Sequence, residues 1–162
     1  MTREDRMTRE DLLAELRAES RRYIASYVLF NQAVADHLGL HPTDVQCLNL
    51  LSLEAGAVTT GQIAELTGLT SGSATRLVDR LEKAGYVTRA RDTQDRRRVL
   101  VQLVPAAMVR FGDLWRELSP DWDALFTEDD EAELALLIRH MRRTTELGRR
   151  QVARLAGRPP LD

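Results

Sequence analysis

Residues 59–104 constrain the fold of this chain more than any other stretch, because two short helical patterns are followed there by a basic, β-rich segment. The first helix is predicted to begin at Thr59, which can form a Thr-x-x-Gln capping box with Gln62. Gly68 suits the left-handed conformation that commonly follows the end of a helix. The two helices are therefore expected to be joined by a tight turn.

The second helix is predicted over residues 71–84, with Ser71 as its N-cap. Its apolar residues have the i, i+3, i+4, i+7 spacing of one buried face, and they are Ala74, Leu77, Val78 and Leu81. The opposite face has hydroxyls near the helix start and arginines further along, which suits hydrogen bonding to base edges and phosphates. The candidate DNA-contacting residues here are Thr70, Ser71, Ser73, Thr75, Arg76 and Arg80. Taken alone, this face is equally consistent with an ordinary solvated surface.

A β-hairpin with a basic tip is predicted after that helix, and it favours nucleic-acid binding. Residues 86–91 and 99–104 are rich in β-forming residues. The hairpin has a net charge of +3 in a chain whose total is −2, and its candidate DNA-contacting arginines are Arg89, Arg91, Arg96, Arg97 and Arg98. A basic loop beside such a helix is typical of DNA-binding proteins. We therefore expect a winged helix-turn-helix, mainly α-helical with a small β-hairpin wing.

Two motifs resemble those of the multiple-antibiotic-resistance regulator (MarR) family of bacterial transcription factors. LVDRLEKAGYVTR at 77–89 and DTQDRRRVLVQL at 92–103 are similar to the family's Leu-x-Asp-Arg-Leu and Asp-Pro-x-Asp-Arg/Lys-Arg motifs, in the same order and at the same spacing. A looser similarity covers nearly the whole chain, including GLHPTDVQCLNLL at 39–51.

The resemblance implies roles for individual residues. The matching aspartate and arginine pair in the family, so Asp79 is expected to pair with Arg97, while Arg96 is left to reach the minor groove or its phosphates. The sequence departs from the family pattern at three positions, Thr93, Val104 and His41. The last two changes are expected to weaken helix caps.

The chain is expected to form a single domain over residues 1–162, with a DNA-binding lobe at 40–104 and dimerisation helices at 8–38 and 105–156. Charged residues at 30% and aromatic residues at 5% suit a helical, soluble protein. The flanking helices have more apolar surface than one small core can cover. In the family resembled here such helices interlock in a homodimer, which agrees with that surplus.

Local signals set the expected ends of these helices. Thr8 and Asp11 resemble a capping box for a helix from Arg9 to about Leu38, which Gly39 ends. The next helix is expected to start at Pro42 and to continue to residue 54, before Gly56. Pro105 is expected to open another helix, with a kink or break near Ser119 and Pro120. Thr127 is expected to cap the last helix together with Asp130.

Family members often bind small aromatic or anionic effectors between the dimerisation helices and the DNA-binding lobe. The corresponding candidates are Tyr23, Tyr27, His41, Met108 and Trp115. An equally acceptable interpretation is that these side chains belong to the core.

The sequence gives little support for a redox switch, a metal site or an enzymatic active site. Cys47 has no cation within four residues on its helix, so we expect a buried structural cysteine rather than a redox switch. The three histidines lack metal-ligand spacing, and no nucleophile elbow or nucleotide-binding loop is present, so no metal, no cofactor and no enzymatic activity are expected. The charged N-terminus and the absence of a long apolar run indicate no secretion signal and no membrane span, and therefore a cytoplasmic protein.

The sequence therefore predicts a homodimeric transcriptional regulator that represses by binding a pseudo-palindromic operator and is released by a small effector. One alternative is a thiol-based regulator that senses oxidants through Cys47. Another is a winged helix that makes only protein–protein contacts, although the polar residues on the second helix argue against this interpretation.

Overall fold

The computed structural model describes residues 7–92, 95 and 98–156. Within these residues, six helices and a small antiparallel sheet confirm the predicted fold class. The elements are α1 (Arg9–Leu38), α2 (Pro42–Leu51), β1 (Val58–Thr59), α3 (Thr60–Thr67), α4 (Ser71–Lys83), β2 (Val87–Arg91), β3 (Val99–Leu103), α5 (Pro105–Ala124) and α6 (Glu131–Ala156). The chain divides after Leu103 into two compact units, so that α1 to α4 and the sheet form one and α5 and α6 form the other.

The first unit has its core where α2, α3 and α4 meet the sheet. Its fully buried apolar residues come from every one of these elements and include Val45, Leu48, Ile63, Leu77, Leu81, Val87 and Val101. The four apolar positions predicted for α4 are all buried. Burial of this one face leaves the opposite, polar face of α4 to solvent.

Helix α1 begins and ends where its sequence signals predict. Asp11 N–H donates to the Thr8 hydroxyl at 3.2 Å and Thr8 N–H donates to the Asp11 carboxylate at 2.9 Å, which confirms the capping box. Gly39 ends the helix with φ +65°, a conformation that other residues adopt only with strain. Only Val34 and Ala35, near its C-terminal end, are buried.

Helix α2 is shorter than predicted. It starts at Pro42 as expected, and the His41 ring accepts a hydrogen bond from Thr43 N–H at 3.3 Å, so His41 does cap the helix. The predicted end at residue 54 is wrong, because the helix stops at Leu51, residues 52–53 form a turn and the chain bends at residues 54–56. The chain must turn there to bring residues 58–59 to the sheet.

The tight turn between α3 and α4 forms as predicted, with one correction. The capping box of Thr59 and Gln62 is present, and Gly68 adopts φ +70° after α3. The N-cap of α4 is Thr70 and not Ser71, because the Thr70 hydroxyl accepts from Ser73 N–H at 3.3 Å. Ser71 is therefore the first residue of the helix, which starts one residue earlier than an N-cap at Ser71 would give.

The sheet has one strand more than the predicted hairpin. Strand β3 lies between β1 and β2 and is antiparallel to both. Val58 pairs with Val101 in one ladder, and Arg89 pairs with Val101 in the other. The added strand therefore ties the start of α3 to the base of the wing.

The break that was one predicted outcome near Ser119 and Pro120 is absent, because α5 continues through Pro120 to Ala124. The other outcome, a kink in a continuous helix, stays a prediction. Proline lacks the N–H that would bind the carbonyl of Arg116 four residues earlier. That carbonyl instead accepts a hydrogen bond from the Ser119 hydroxyl at 3.3 Å. The neighbouring serine thus replaces the missing donor.

At the N-terminal end of α5, Val104 provides no side-chain cap, as expected.

Helix α6 is capped by Asp130 and not by the predicted combination of Thr127 with Asp130. The Asp130 carboxylate accepts from Ala132 N–H at 2.8 Å and from Glu133 N–H at 2.9 Å. Glu133 returns the bond by accepting from Asp130 N–H at 2.9 Å. A capping box therefore exists here, three residues later than predicted.

None of the helices in the described part of the chain is long and apolar enough to cross a membrane.

Candidate nucleic-acid interface

The exposed face of α4 has hydroxyls at the helix start and an arginine one turn further on. Ser71, Thr75 and Arg76 are exposed, while Ser73 is half-buried. The Ser73 hydroxyl accepts from the Thr70 hydroxyl at 3.0 Å and from the Arg76 guanidinium at 3.3 Å. The N-cap is thereby linked to Arg76, the arginine predicted to read base edges.

Arg80 lies one turn after Arg76 on the same helix and forms an ion pair with Asp44 of α2. The Nε and Nη2 atoms of Arg80 donate to the two carboxylate oxygens of Asp44 at 3.0 and 2.5 Å. Asp44 is only 1% exposed. The hydrogen bond to Asp44 raises the pKa of Arg80 above its ordinary value, so the guanidinium stays charged.

Arg89 of β2 bridges two carboxylates of α4. Its guanidinium donates to Asp79 at 2.7 Å and also to Glu82, while its backbone N–H donates to Glu82 at 3.2 Å. Burial lowers the pKa of Arg89, but the hydrogen bonds to the two carboxylates outweigh this and raise the pKa overall. Arg89 therefore connects α4 to the base of the wing.

The described part of the wing tip is held by backbone hydrogen bonds. Asp92 N–H donates to the Arg98 carbonyl at 3.0 Å, and Arg98 N–H donates to the Asp95 carbonyl at 2.9 Å. The Arg98 guanidinium lies 3.8 Å from the Asp92 carboxylate, and Arg91 is exposed. Of the described arginines, Arg91 is the last residue of β2 and Arg98 directly precedes β3, so the two flank the tip of the hairpin.

Arg96 and Arg97 lie outside the described residues, as does Thr93. The expected pairing of Arg97 with Asp79, and the expected reach of Arg96 into the minor groove, stay predictions. The partner that the structure gives to Asp79 is Arg89.

The ion-pairing roles of two carboxylates, Asp44 and Glu82, were not predicted from the sequence. Asp44 is four residues before the buried Leu48, so it lies in the apolar stripe of α2, where a charge requires a partner. That position could have indicated a buried ion pair. Glu82 gave no comparable signal, because it is exposed on α4.

The candidate effector-binding residues are distributed over both units. In the first unit, Tyr23 and Tyr27 are 56% and 44% exposed, and His41 caps α2. In the second, Met108 and Trp115 are half-buried, and the Trp115 ring meets Phe111 edge-on at a centroid distance of 6.0 Å. The two tyrosines lie one turn apart on α1.

Cys47 is buried in the first unit, as expected for a structural cysteine. Burial and the nearby Asp44 carboxylate raise the pKa of its thiol to about 12. A thiol in this state is a poor nucleophile at neutral pH, which argues against oxidant sensing. Among the described residues, no group of three or more His, Cys, Asp or Glu side chains is arranged to hold a metal ion.

Comparison with known proteins agrees with this geometry. The sequence profile of the MarR family matches residues 38–98, which include α2 to α4 and most of the wing. An uncharacterised HTH-type transcriptional regulator of Bacillus subtilis, YcgE, is 44% identical over 128 residues, which are 79% of this chain and 82% of that protein. A second B. subtilis HTH-type regulator, YwaE, is 31% identical over about half of each chain.

Solved structures share the fold at lower identity. A MarR family protein from Bacillus stearothermophilus has a TM-score of 0.64 and 23% identity, over 86% of this chain and 97% of its own. The crystal structure of MarR has a TM-score of 0.58 and 24% identity, over 83% of this chain and 98% of its own. Together with the sequence matches, these similarities show that the chain belongs to the MarR family of helix-turn-helix transcriptional regulators, which are not enzymes.

Proposed function

We propose that this protein is a homodimeric repressor that binds a pseudo-palindromic DNA operator, with α4 in the major groove. The observation that carries the proposal is the division of α4 into two faces. Ala74, Leu77 and Val78 are fully buried, whereas Ser71, Thr75 and Arg76 are exposed on the side turned away from the core. Hydroxyls and a guanidinium along one helix face can hydrogen-bond base edges and phosphates.

The apolar surface of α6 supports dimerisation. Along α6, the large apolar residues Leu134, Ile138 and Met141 are spaced four and three residues apart. Val152 and Leu155 continue this register after Thr145 and Gly148 interrupt the apolar strip. Ile138, Met141, Val152 and Leu155 are between 49% and 62% exposed in the single chain. This spacing is that of helices that pack side by side. Apolar surface of this extent on a regulator is best explained by a second copy.

Helix α1 adds a second apolar surface of the same kind. Leu16, Ile24, Val28 and Leu29 are more than half exposed. Only the C-terminal part of α1 is buried, so most of this 30-residue helix projects beyond the core of its own unit. We therefore expect α1 and α6 both to contribute to the dimer.

A two-fold dimer explains how the DNA sequence would be read. It places two recognition helices on successive major-groove segments about 34–36 Å apart, and a two-fold protein requires a pseudo-palindromic site. A dimer that spans such a stretch also excludes other proteins from it, which is why we propose repression. Binding to chromosomal DNA implies a cytoplasmic location.

We further propose a small aromatic or anionic effector that releases the DNA. Its support is that Tyr23 and Tyr27 present two exposed rings one turn apart on α1. Isothermal titration calorimetry with benzoate, as a small aromatic anion, would test binding, and titration of the protein–DNA complex with the same anion would test release. No heat of binding at millimolar benzoate would contradict the proposal for ligands of that class.

The experiment that tests the main proposal is selection of bound duplexes from a random DNA pool. A two-fold symmetric consensus is expected. Enrichment of no sequence would contradict the proposal.

The dimer is tested separately by sedimentation at micromolar concentration. Wild type should sediment at about twice the chain mass, and Ile138→Glu should shift the protein toward monomer because it places a carboxylate in the apolar strip of α6. His140→Glu is the matched control, since residue 140 lies on the other side of the helix. A monomeric wild-type protein would contradict the proposal, and so would equal effects of the two variants.

A further inference from the structure

The ion pair between Asp44 and Arg80 joins a buried group to an exposed one. The Asp44 side chain is 2% exposed, whereas the Arg80 side chain is 47% exposed. The two residues are 36 positions apart, so the pair links α2 directly to the recognition helix. One edge of the guanidinium therefore faces the protein interior and the rest of it faces solvent.

The chemistry of arginine makes this arrangement suitable for binding a further anion. A guanidinium has five N–H donors in a planar fork. Asp44 takes one from Nε and one from Nη2, so three N–H groups are available at the exposed part of the side chain. Because Nε and Nη2 lie in the plane of one guanidinium, their two hydrogen bonds to Asp44 fix the direction of the three remaining donors.

The position of Arg80 on α4 indicates which anion this would be. Arg80 follows Arg76 by one turn on the same helix, and it lies beyond the hydroxyls and Arg76 that we place at base edges. The phosphates of a duplex border the major groove on both sides. A guanidinium further along the helix than the base-reading residues can therefore reach the sugar–phosphate backbone.

We propose that Asp44 is a positioning residue for DNA binding, which holds the Arg80 guanidinium so that its exposed N–H groups bind an operator phosphate. This inference rests on the proposed function. It assigns a role in DNA binding to a carboxylate that is buried in α2 and itself touches no DNA. Arg80 is then ordered before the duplex arrives, so less side-chain freedom is lost on binding.

A purely structural role for Asp44 makes the opposite prediction about affinity. If the pair only fastened α4 to α2, removal of a negative charge close to DNA would leave affinity unchanged or increase it. If Asp44 positions Arg80, removal of the carboxylate weakens binding although it removes a repulsive charge. The sign of the change therefore separates the two roles.

The test is the affinity of Asp44→Asn for the selected operator at several salt concentrations, with its fold verified by circular dichroism. We expect binding about 2- to 10-fold weaker, and a dependence of log affinity on log salt that is shallower by about one unit. Glu65→Gln is the matched control, because Glu65 is an exposed carboxylate of the same lobe. It should bind as tightly as wild type or slightly tighter.

A second pair of variants keeps the test valid if Asp44→Asn does not fold. Arg80→Gln and the double variant Asp44→Asn/Arg80→Gln both lack the guanidinium, and the double variant leaves no buried charge unpaired. Both should show the shallower salt dependence, and Asp44→Asn should add no further loss of affinity to Arg80→Gln.

The possible failures are distinct. Asp44→Asn that binds as tightly as wild type would overturn the inference, and so would an unchanged salt dependence in the double variant. A wild-type protein that binds no selected duplex would instead overturn the proposed function.

Discussion

The guanidinium of Arg89, on β2, donates to the carboxylate of Asp79, on α4, at 2.7 Å and to Glu82 of the same helix as well. The strand that leads into the wing is thus attached to α4 by side chains as well as by the chain itself. Asp79 and Glu82 are 58% and 40% exposed, so solvent screens both ion pairs. The attachment orients the wing more than it stabilises the fold.

Loss of this attachment should have a small and coupled effect on stability. Arg89→Ala and Asp79→Ala should each lower the free energy of unfolding by about 1 kcal/mol or less, since exposed ion pairs contribute little. The double variant should lose less than the sum of the two, because the residues share one interaction. Urea denaturation measures these values, with Arg91→Ala as a control on the same strand. Strictly additive losses would show that the two residues are not coupled.

Arg76 is the residue that we expect to set sequence preference. Arg76→Ala should weaken operator binding by about 1–3 kcal/mol and relax the preference at one base position, because bidentate contact with guanine is the commonest specific role of arginine. Lys83→Ala, at the C-terminal end of α4, should weaken binding to operator and scrambled DNA by similar factors. Titrations on both duplexes provide the comparison. If Arg76→Ala keeps the wild-type preference, α4 is not the reading helix.

The elements of this fold that could be predicted from sequence are those with local signals. Thr8 and Asp11, and Thr59 and Gln62, are three residues apart, and both capping boxes form. The buried face of α4 follows from a periodicity contained within eight residues. A signal of this kind requires only that the helix forms, so it does not depend on how distant parts of the chain meet.

The parts that could not be predicted depend on residues far apart in the chain. Strand β1 has only two residues, and it exists because Val58 pairs with Val101, 43 positions later. Asp44 and Arg80 are 36 positions apart, and nothing near either residue specifies the other. The polar pattern of α4 could therefore place Arg80 on an exposed face but could not show that a buried carboxylate holds it.

Pro120 is a local signal for a helix break, and the neighbouring Ser119 offsets its effect. The Ser119 hydroxyl takes the place of the N–H that proline lacks, at a longer distance of 3.3 Å to the Arg116 carbonyl. Pro120→Ala should raise the free energy of unfolding by about 1–3 kcal/mol, because a regular N–H donor is restored to the helix. Thermal unfolding followed by circular dichroism measures the change.

Ser119→Ala is the companion variant for that experiment. It should destabilise the wild-type chain slightly, by about 1 kcal/mol or less, and should have a smaller effect in the Pro120→Ala background, where the Arg116 carbonyl has a backbone donor. An equal effect of Ser119→Ala in the two backgrounds would contradict the compensating role of the hydroxyl.

Cys47 should be unreactive in the folded protein. Burial is the larger cause that raises the pKa of its thiol, and the Asp44 carboxylate adds to it, so that the pKa moves from an ordinary value of 9.0 to about 12. The nucleophile in alkylation is the thiolate, which is then scarce at pH 8. Iodoacetamide should therefore label native protein far more slowly than urea-unfolded protein, as measured by mass spectrometry. Equal rates would support the oxidant-sensing alternative that we set aside.

The same thiol should make stability depend on pH in alkaline solution. Below pH 9 the thiol is protonated in both the folded and the unfolded chain, so its contribution to stability is fully present. Above pH 9 the unfolded chain releases this proton while the folded chain keeps it, so stability falls until the pH reaches the folded pKa of about 12. The slope approaches about 1.4 kcal/mol per pH unit for one proton. Cys47→Ala should lack this component, and the difference between its denaturation curves and those of wild type from pH 8 to 10.5 isolates the thiol from tyrosine and lysine titration. A difference that stays constant over that range would contradict the raised pKa.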